Sequence, residues 1–346
     1  MLNAIREEMR MPNGRTSARM ARHAKLAIIG CAMLCSITNL LIAVDAHAKD
    51  CQLAREASID FTIAHGVLLE PVMINDHPAQ IVVEPANIFS VMRRDHAEQF
   101  GLVVDNLPGS AQVNFAGARL TQISRVASFK AGTTLFGKVE FLLSPAENFT
   151  PATTDPPIVG LLGLDAFANH DFEFDFANKK FNLYAQDHCP GSVVYWTNEY
   201  AKTPITRGPL GNYYFPMELD GKKVEATIST TFAGNTLTTD VTRSLYGFDE
   251  KSTDIETDRN GRPRSYYRAM TLTGNGIKIV NARIQLRTSK QSSCSLTYGP
   301  EHSAVYTGCM GGEAPLKLGL DVAQHLHLYF ATKEKMLYLS DVAASK

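Results

Sequence analysis

The chain carries one order of sequence features twice, with the second copy roughly 150 residues after the first. In each copy a polar turn leads into an apolar strand, residues 79–83 in the first and 224–228 in the second. Further on, residues 162–165 and 318–321 both read Leu-Gly-Leu-Asp. A solenoid would need shorter and more numerous repeats. The spacing therefore predicts two homologous lobes in one chain.

Strand signals dominate both copies. Phe172, Phe174 and Phe176 alternate with Glu173 and Asp175, which is the period of a β-strand. Many short β-rich runs are separated by turn residues, and long helical patterns are few. The sequence therefore predicts a mostly β, bilobal fold with short helices.

Local patterns also place individual elements along the chain. Residues 93–101 predict a short helix that ends at Gly101, and residues 126–143 predict a hairpin with its turn near Gly132. The Pro- and Gly-rich residues 191–211 are the predicted connection between the lobes.

The first 48 residues have the pattern of a targeting segment. Basic residues precede an apolar run over residues 26–44, and Ala46-His47-Ala48 then matches a signal peptidase site. We expect cleavage after Ala48 and a periplasmic or secreted protein without a membrane span. An uncleaved N-terminal anchor is the alternative, because the run is just long enough to span a bilayer. The lobes then cover residues 49–190 and 212–346.

Overall charge excludes one class of partner. The chain has 34 Lys and Arg residues against 35 Asp and Glu residues, for a net charge of -1. Nucleic-acid binders usually carry a clear basic excess, so we expect no nucleic-acid partner.

Four cysteines lie beyond the predicted signal peptide, namely Cys51, Cys189, Cys294 and Cys309. An even number of cysteines in an exported chain indicates disulfides. The spacings favour a local Cys294–Cys309 bond and a Cys51–Cys189 bond, although four cysteines allow three connectivities. The same spacings do not fit a zinc site, and no metal or other cofactor is expected.

The order of these features resembles the retropepsin-like aspartic protease family in its bacterial exported, two-lobed form. The residues that carry the resemblance are 81–83, 100–102, the hairpin 126–141, 160–167 and 174–180, and the similarity extends over nearly all of residues 66–340. It implies a bilobal acid-protease-like fold with a cleft between the lobes. It also implies flap hairpins near residues 129–137 and 270–277, and a monomer, because two lobes in one chain remove the need to dimerise.

Both active turns of that family are altered in this chain. The family uses an Asp from each lobe, and the two carboxyls share a proton because like charges at about 3 Å cannot both ionise. Glu84 stands at the first Asp position and Ser229 at the second. The neighbouring turn positions hold Pro85, Ala86 and Asn87 in the first copy, with Thr230 and Thr231 in the second.

Two other candidate pairs have simpler interpretations. Asp165 and Asp321 precede short helical segments and are interpreted as N-caps rather than as an acid pair. His325 and His327 share the spacing of one strand face, but two histidines without a third ligand do not indicate a metal site.

The sequence therefore favours a catalytically inactive pseudo-protease that binds an extended peptide or protein segment in its cleft. An active aspartic-type endopeptidase is the alternative, and it would need Glu84 and a second acid outside the aligned positions. A purely structural envelope protein is a third option, which a cleft filled by its own side chains would favour.

Overall fold

The computed structural model describes residues 52–109, 111–146, 154–208, 211–247, 254–257, 263–287, 295–298, 304–308 and 314–344. The chain divides into two compact units, Met1–Asp50 and Cys51–Lys346. The first unit, with the predicted signal peptide, lies outside the described residues. Within the described residues, no helix has the length and apolar character needed to cross a membrane.

The cysteine predictions fall mostly on residues that are not described. Cys189 is disulfide-bonded, whereas Cys51, Cys294 and Cys309 lie outside the described residues. The pairing of the four cysteines therefore stays a prediction.

The first copy consists mainly of short strands. They are β1 (Arg55–Asp60), β2 (Thr62–Ala64), β3 (Val67–Ile74), β4 (His77–Val83), β5 (Val91–Arg93), β6 (Val104–Asn106), β7 (Val113–Phe115), β8 (Ala118–Leu120), β9 (Gln122–Val126), β10 (Phe129–Ala131), β11 (Thr134–Phe136), β12 (Val139–Ser144), β13 (Ile158–Leu162), β14 (Asp171–Asp175) and β15 (Lys180–Tyr184). Helix α1 covers Arg94–Gln99, as predicted, and a single 3-10 turn covers Leu164–Ala166.

The second copy has the same character. Its strands are β16 (Ala201–Pro204), β17 (Thr206–Arg207), β18 (Tyr213–Leu219), β19 (Lys222–Ile228), β20 (Asn235–Thr238), β21 (Asp254–Thr257), β22 (Pro263–Gly274), β23 (Ile277–Arg287), β24 (Ser295–Tyr298), β25 (Ala304–Gly308), β26 (Leu316–Leu318), β27 (Leu326–Ala331) and β28 (Met336–Asp341). Helices α2 (Thr239–Tyr246) and α3 (Leu320–Ala323) and a 3-10 turn (Val342–Ala344) complete it.

Strand pairing reproduces the duplication that the sequence predicts. In the first copy β13 pairs parallel to β4 and antiparallel to β5, and β12 pairs parallel to β5. In the second copy β26 pairs parallel to β19 and antiparallel to β20, and β23 pairs parallel to β20. The same helix follows in each copy, and it is followed by a left-handed glycine, Gly101 or Gly247, as expected for a helix C-terminus. The strand pairing thus confirms the predicted mostly β, two-lobed fold.

A six-stranded sheet joins the two copies. Its strand order is β1-β15-β14-β27-β28-β16, so each copy contributes one half and the order is symmetric about the β14–β27 pair. Strand β16 occupies the place that β1 has in the first half, although it lies inside the predicted linker 191–211. The second copy therefore begins near Ala201, and the connection is shorter than its composition suggests.

The main apolar core runs through both copies. Phe172 and Phe174 from β14 belong to the same buried cluster as Phe330 from β27. The rings of Phe172 and Phe330 stack with centroids 4.5 Å apart. Burial of such large aromatic side chains is a dominant contribution to stability, so the two copies share one core.

The hairpins that the family resemblance marks as flaps have other positions. In the first, β10 pairs with β3 near the β3–β4 turn, and the turn at Gly132 packs against the backbone of Ser58 in β1. Glu84 follows the opposite end of β4. In the second, β22 pairs with the end of β18 that faces the start of β19, whereas Ser229 follows the end of β19. Neither hairpin covers these residues, and the flap prediction is wrong.

One carboxyl group is buried inside this core. The Glu70 side chain on β3 is fully buried, and Leu68 and Val72 on the same strand face belong to the main cluster. Neither of its oxygens has a hydrogen-bond partner among the described residues. Burial raises the pKa of Glu70 well above its ordinary value. The neutral acid is therefore the form that the fold accommodates.

We expect Glu70→Gln to remove a loss of stability that wild type shows as pH rises. A raised folded-state pKa means that the group's contribution to stability is complete below its unfolded pKa of about 4.3 and is lost toward alkaline pH. The difference between the unfolding free energies of wild type and variant should change by up to about 1.4 kcal/mol per pH unit above that point. Urea denaturation between pH 4 and 8 measures it, and Glu98→Gln, at an exposed side chain, is the control. Parallel curves for wild type and Glu70→Gln would contradict the prediction.

Candidate functional site

Glu84 and Ser229 occupy equivalent places in the two copies. Each is the residue directly after its strand, β4 or β19. The amide of Glu84 donates to the Leu162 carbonyl at 3.0 Å, and the amide of Ser229 donates to the Leu318 carbonyl at 2.9 Å. The leucines belong to the repeated Leu-Gly-Leu-Asp segments. The correspondence of these two positions is therefore structural as well as sequential.

The two turns meet at the junction of the lobes, called the seam below. The Ser229 hydroxyl donates to Oε2 of Glu84 at 2.9 Å. The backbone amides of Thr230 and Thr231 donate to the same oxygen at 3.0 and 2.9 Å. The amide of Ala86 donates to Oε1 at 2.8 Å. Glu84 is 3% exposed and Ser229 is 1% exposed. This carboxylate is therefore bound inside the protein by four donors at 3.0 Å or less, and the Thr230 hydroxyl lies 3.5 Å from Oε2.

Two further bonds across the seam both involve Thr230 of the second turn. The Thr230 hydroxyl donates to the Val83 carbonyl, and the Leu68 amide donates to the Thr230 carbonyl at 3.0 Å. Pro85 stands at the corresponding place in the first turn and has neither a hydroxyl nor an amide hydrogen. Near it, the Asn212 side chain donates to the Ala86 carbonyl at 3.4 Å. The linkage between the turns is therefore asymmetric.

This arrangement differs chemically from a pair of acids. Ser229 supplies a donor where a shared-proton dyad would have a carboxyl group, and the Thr231 hydroxyl lies 3.1 Å from the Ser229 hydroxyl. The hydrogen bonds to the Glu84 carboxylate come from two hydroxyls and three amides, none of which is an acid. The second carboxylate that an active endopeptidase would need is not among these partners. The assignment of Glu84 and Ser229 to the catalytic positions stays a prediction.

The repeated Asp165 and Asp321 are not N-caps. The caps of the short helical segments are Gly163 and Gly319, without side-chain cap bonds. Asp165 instead accepts the amide and hydroxyl of Ser90, at 2.9 to 3.0 Å and 2.6 Å. Burial raises the pKa of Asp165 to about 6, against the opposing effect of the bonds from Ser90. Its role is to connect the segment after the active turn to the Leu-Gly-Leu-Asp segment.

Only one of the two histidines, His327, lies on the strand. His327 lies on β27 with its side chain 1% exposed, 2.7 Å from Oε1 of Glu173. His325 precedes the strand. Within the described residues, no group of three or more His, Cys, Asp or Glu side chains is arranged to hold a metal ion.

A cavity of the first lobe lies away from Glu84 and Ser229. It has a volume of about 470 Å³ and is lined by residues that include Leu135, Phe136, Asp165 and His170, but neither by Glu84 nor by Ser229. Glu84 and Ser229 are therefore not part of this cavity.

Sequence reasoning missed a group of half-buried apolar residues in the first copy, two of which are close in sequence to residues of the seam. Val67, Ile88 and Phe115 are partly buried and pack against the second core cluster. Val67 precedes Leu68, whose amide reaches Thr230, and Ile88 closely follows the Glu84 turn. Phe115 ends β7 in the β7–β8 hairpin. A strand–turn–strand signal at residues 113–120 was available, but the longer hairpin after it has a stronger strand pattern.

Comparisons with known proteins give structural likeness only. No family model matches the chain. No curated protein matches it. Among solved structures, the chain is similar to basic 7S globulin from soybean, at a TM-score of 0.47 and 9% identity, over 85% of this chain and 99% of that one. It is also similar to an aspartic proteinase from Irpex lacteus, at a TM-score of 0.45 and 12% identity, over 83% and 98% of the two chains.

We expect Glu84→Ala to lower the free energy of unfolding by about 3 kcal/mol or more, because it leaves a hydroxyl and three amides without their acceptor. Asp60→Ala removes an exposed carboxylate that pairs with Lys180 and should cost less than about 1 kcal/mol. Urea denaturation at neutral pH compares the two. An equal or smaller loss in Glu84→Ala would contradict the geometry described for the seam.

A second variant tests how close the two active-turn positions are. Ser229→Asp places a second carboxyl beside Glu84, and two such groups cannot both ionise when buried together. Relative to Ser229→Asn, the aspartate variant should therefore lose stability progressively as pH rises above about 4. A pH-independent difference between these two variants would mean that the carboxyls do not interact.

Proposed function

We propose that this protein is a catalytically inactive relative of two-lobed acid proteases that binds an extended peptide or protein segment between its lobes. The observation that carries the first part is the state of Glu84. Its carboxylate is bound by four donors, and a serine occupies the place of the partner acid.

The loss of catalysis follows from what the reaction requires. A general base must reach water, and a general acid must reach the scissile bond. Glu84 is 3% exposed, and its hydrogen bonds come from groups that belong to the protein itself. Ser229 cannot act as the second carboxylic acid. Each of these changes removes a contribution of about 100-fold or more to the rate.

Peptide binding is supported by the group of half-buried apolar residues in the first copy. The partly buried Val67, Ile88 and Phe115 offer apolar contact. Within the described residues, β7 and β8 form a two-stranded sheet, and each strand has an outer edge. An extended segment could pair with such an edge and place alternate side chains on the apolar surface.

The absence of catalysis is tested with the purified protein and a broad peptide library at pH 3 to 7, with product detection by mass spectrometry. We expect no cleavage above a boiled control. Cleavage by wild type that is lost in Glu84→Gln would overturn the proposal and establish the active endopeptidase instead.

Binding is tested by panning a random decapeptide phage library against the immobilised protein, followed by fluorescence anisotropy of a selected peptide. Ile88→Asp should weaken binding by about tenfold or more, because it places a charge in the apolar contact. The control is Val280→Asp, at an exposed apolar residue of the second lobe, which should bind as wild type does. Failure to enrich any peptide, or equal effects of both substitutions, would favour the structural envelope protein.

A further inference from the structure

The face of the six-stranded sheet that points away from the core carries buried charge. Phe172 and Phe174 on β14 enter the core, so Asp171, Glu173 and Asp175 lie on the opposite face. Asp171 and Glu173 are fully buried, and Asp175 is 6% exposed. The cover over this face is the segment of residues 186–200, called the crossing segment here, which runs from the first copy to the second.

Glu173 binds groups from three parts of the molecule. Its Oε2 accepts the Asn182 amide and the Tyr184 hydroxyl from β15, at 2.6 and 2.8 Å. The same oxygen accepts the hydroxyl of Tyr195 from the crossing segment at 2.9 Å. Its Oε1 lies 2.7 Å from Nε2 of His327 on β27, in the second copy. Glu173 thus connects the first copy, the crossing segment and the second copy.

The tyrosines remain donors in this environment. Burial and the charge of Glu173 raise the pKa of Tyr184 and of Tyr195. Their hydroxyls therefore keep their protons and remain hydrogen-bond donors.

His188 of the crossing segment makes a second three-part connection. Its Nε2 lies 2.5 Å from Oδ2 of Asp171 on β14, and its Nδ1 lies 3.3 Å from Oε1 of Glu334 in the β27–β28 turn. Asp171 also accepts the amide and hydroxyl of Thr332 from the same turn, each at 2.8 Å. The His188 side chain is 2% exposed.

Trp196 closes the cluster. Its ring stacks on His327 with centroids 4.0 Å apart and planes inclined by 7°. Its Nε1 donates to the Ser340 hydroxyl on β28 at 2.9 Å. The crossing segment is therefore held to the second copy at Trp196 and to both copies at His188.

We propose that Asp171, Glu173, His188, His327 and Glu334 form a lock that fixes the crossing segment and the two lobes in one arrangement, so that the seam opens only when this lock yields. Buried ion pairs add little net stability when complete, but loss of one partner leaves an uncompensated buried charge. Such a cluster is therefore stable only when all of its partners are in place, and partly separated arrangements are higher in free energy. The proposal does not depend on whether the cleft binds a peptide.

Hydrogen–deuterium exchange of the full chain, followed by mass spectrometry, tests the lock. In His188→Gln we expect faster exchange, by about tenfold or more, in peptides from the crossing segment and also in peptides that contain the seam amides of Thr230 and Thr231. Peptides from the β18–β19 hairpin should exchange as in wild type. The control is Arg125→Gln, which removes an exposed cation from between Asp105 and Glu140 and should change neither region.

Two outcomes would overturn the lock. Faster exchange in the crossing segment alone would mean that this segment covers the sheet without controlling the seam, and unchanged exchange in both regions would mean that the cluster restrains nothing. If His188→Gln does not fold, Glu334→Gln gives the same readout from the edge of the cluster, where the side chain is 10% exposed. Exchange in the peptides from the crossing segment and from the seam is then compared in the same way.

Discussion

The pairing of β14 with β27 is the interaction on which the rest of the structure depends. It is the only point in the described six-stranded sheet at which a strand of one copy bonds to a strand of the other. It places Phe172 against Phe330 on one face and Glu173 near His327 on the other. The shared apolar core and the buried charge cluster both follow from this register, because a one-residue slip would exchange the two faces of β14.

The contact between Glu84 and Ser229 differs from that of two acids. In a catalytic dyad, two acids are held together by the structure against their mutual repulsion. Here Ser229 donates to Glu84, so the contact is attractive and adds to the linkage of the lobes. A longer carboxylate than aspartate reaches the amides of Thr230 and Thr231 in the opposite turn. The seam is therefore a hydrogen-bonded connection between the lobes.

Sequence reasoning was successful where a local pattern has one structural meaning. The repeated turn–strand and Leu-Gly-Leu-Asp segments located Glu84 and Ser229, and helix α1 was placed to within two residues. It was wrong about the flaps, because residues 126–143 have a hairpin pattern whether they cover a cleft or extend a sheet, and only pairing with β3 decides between these. It was wrong about Asp165, because the partner that binds its carboxylate, Ser90, is distant in sequence.

The sequence by itself determined that the chain is a duplicated, mostly β protein, and that Glu84 and Ser229 stand at matching positions of the two copies. These conclusions need only residue identity, period and order. The tertiary structure alone decided that the Glu84 carboxylate is buried against Ser229, that the acidic residues of β14 face a covered surface, and that His188 and His327 meet them. The alternation of Phe with Asp and Glu reads as a half-exposed strand, and only the path of the crossing segment over the sheet converts its outer face into an interior.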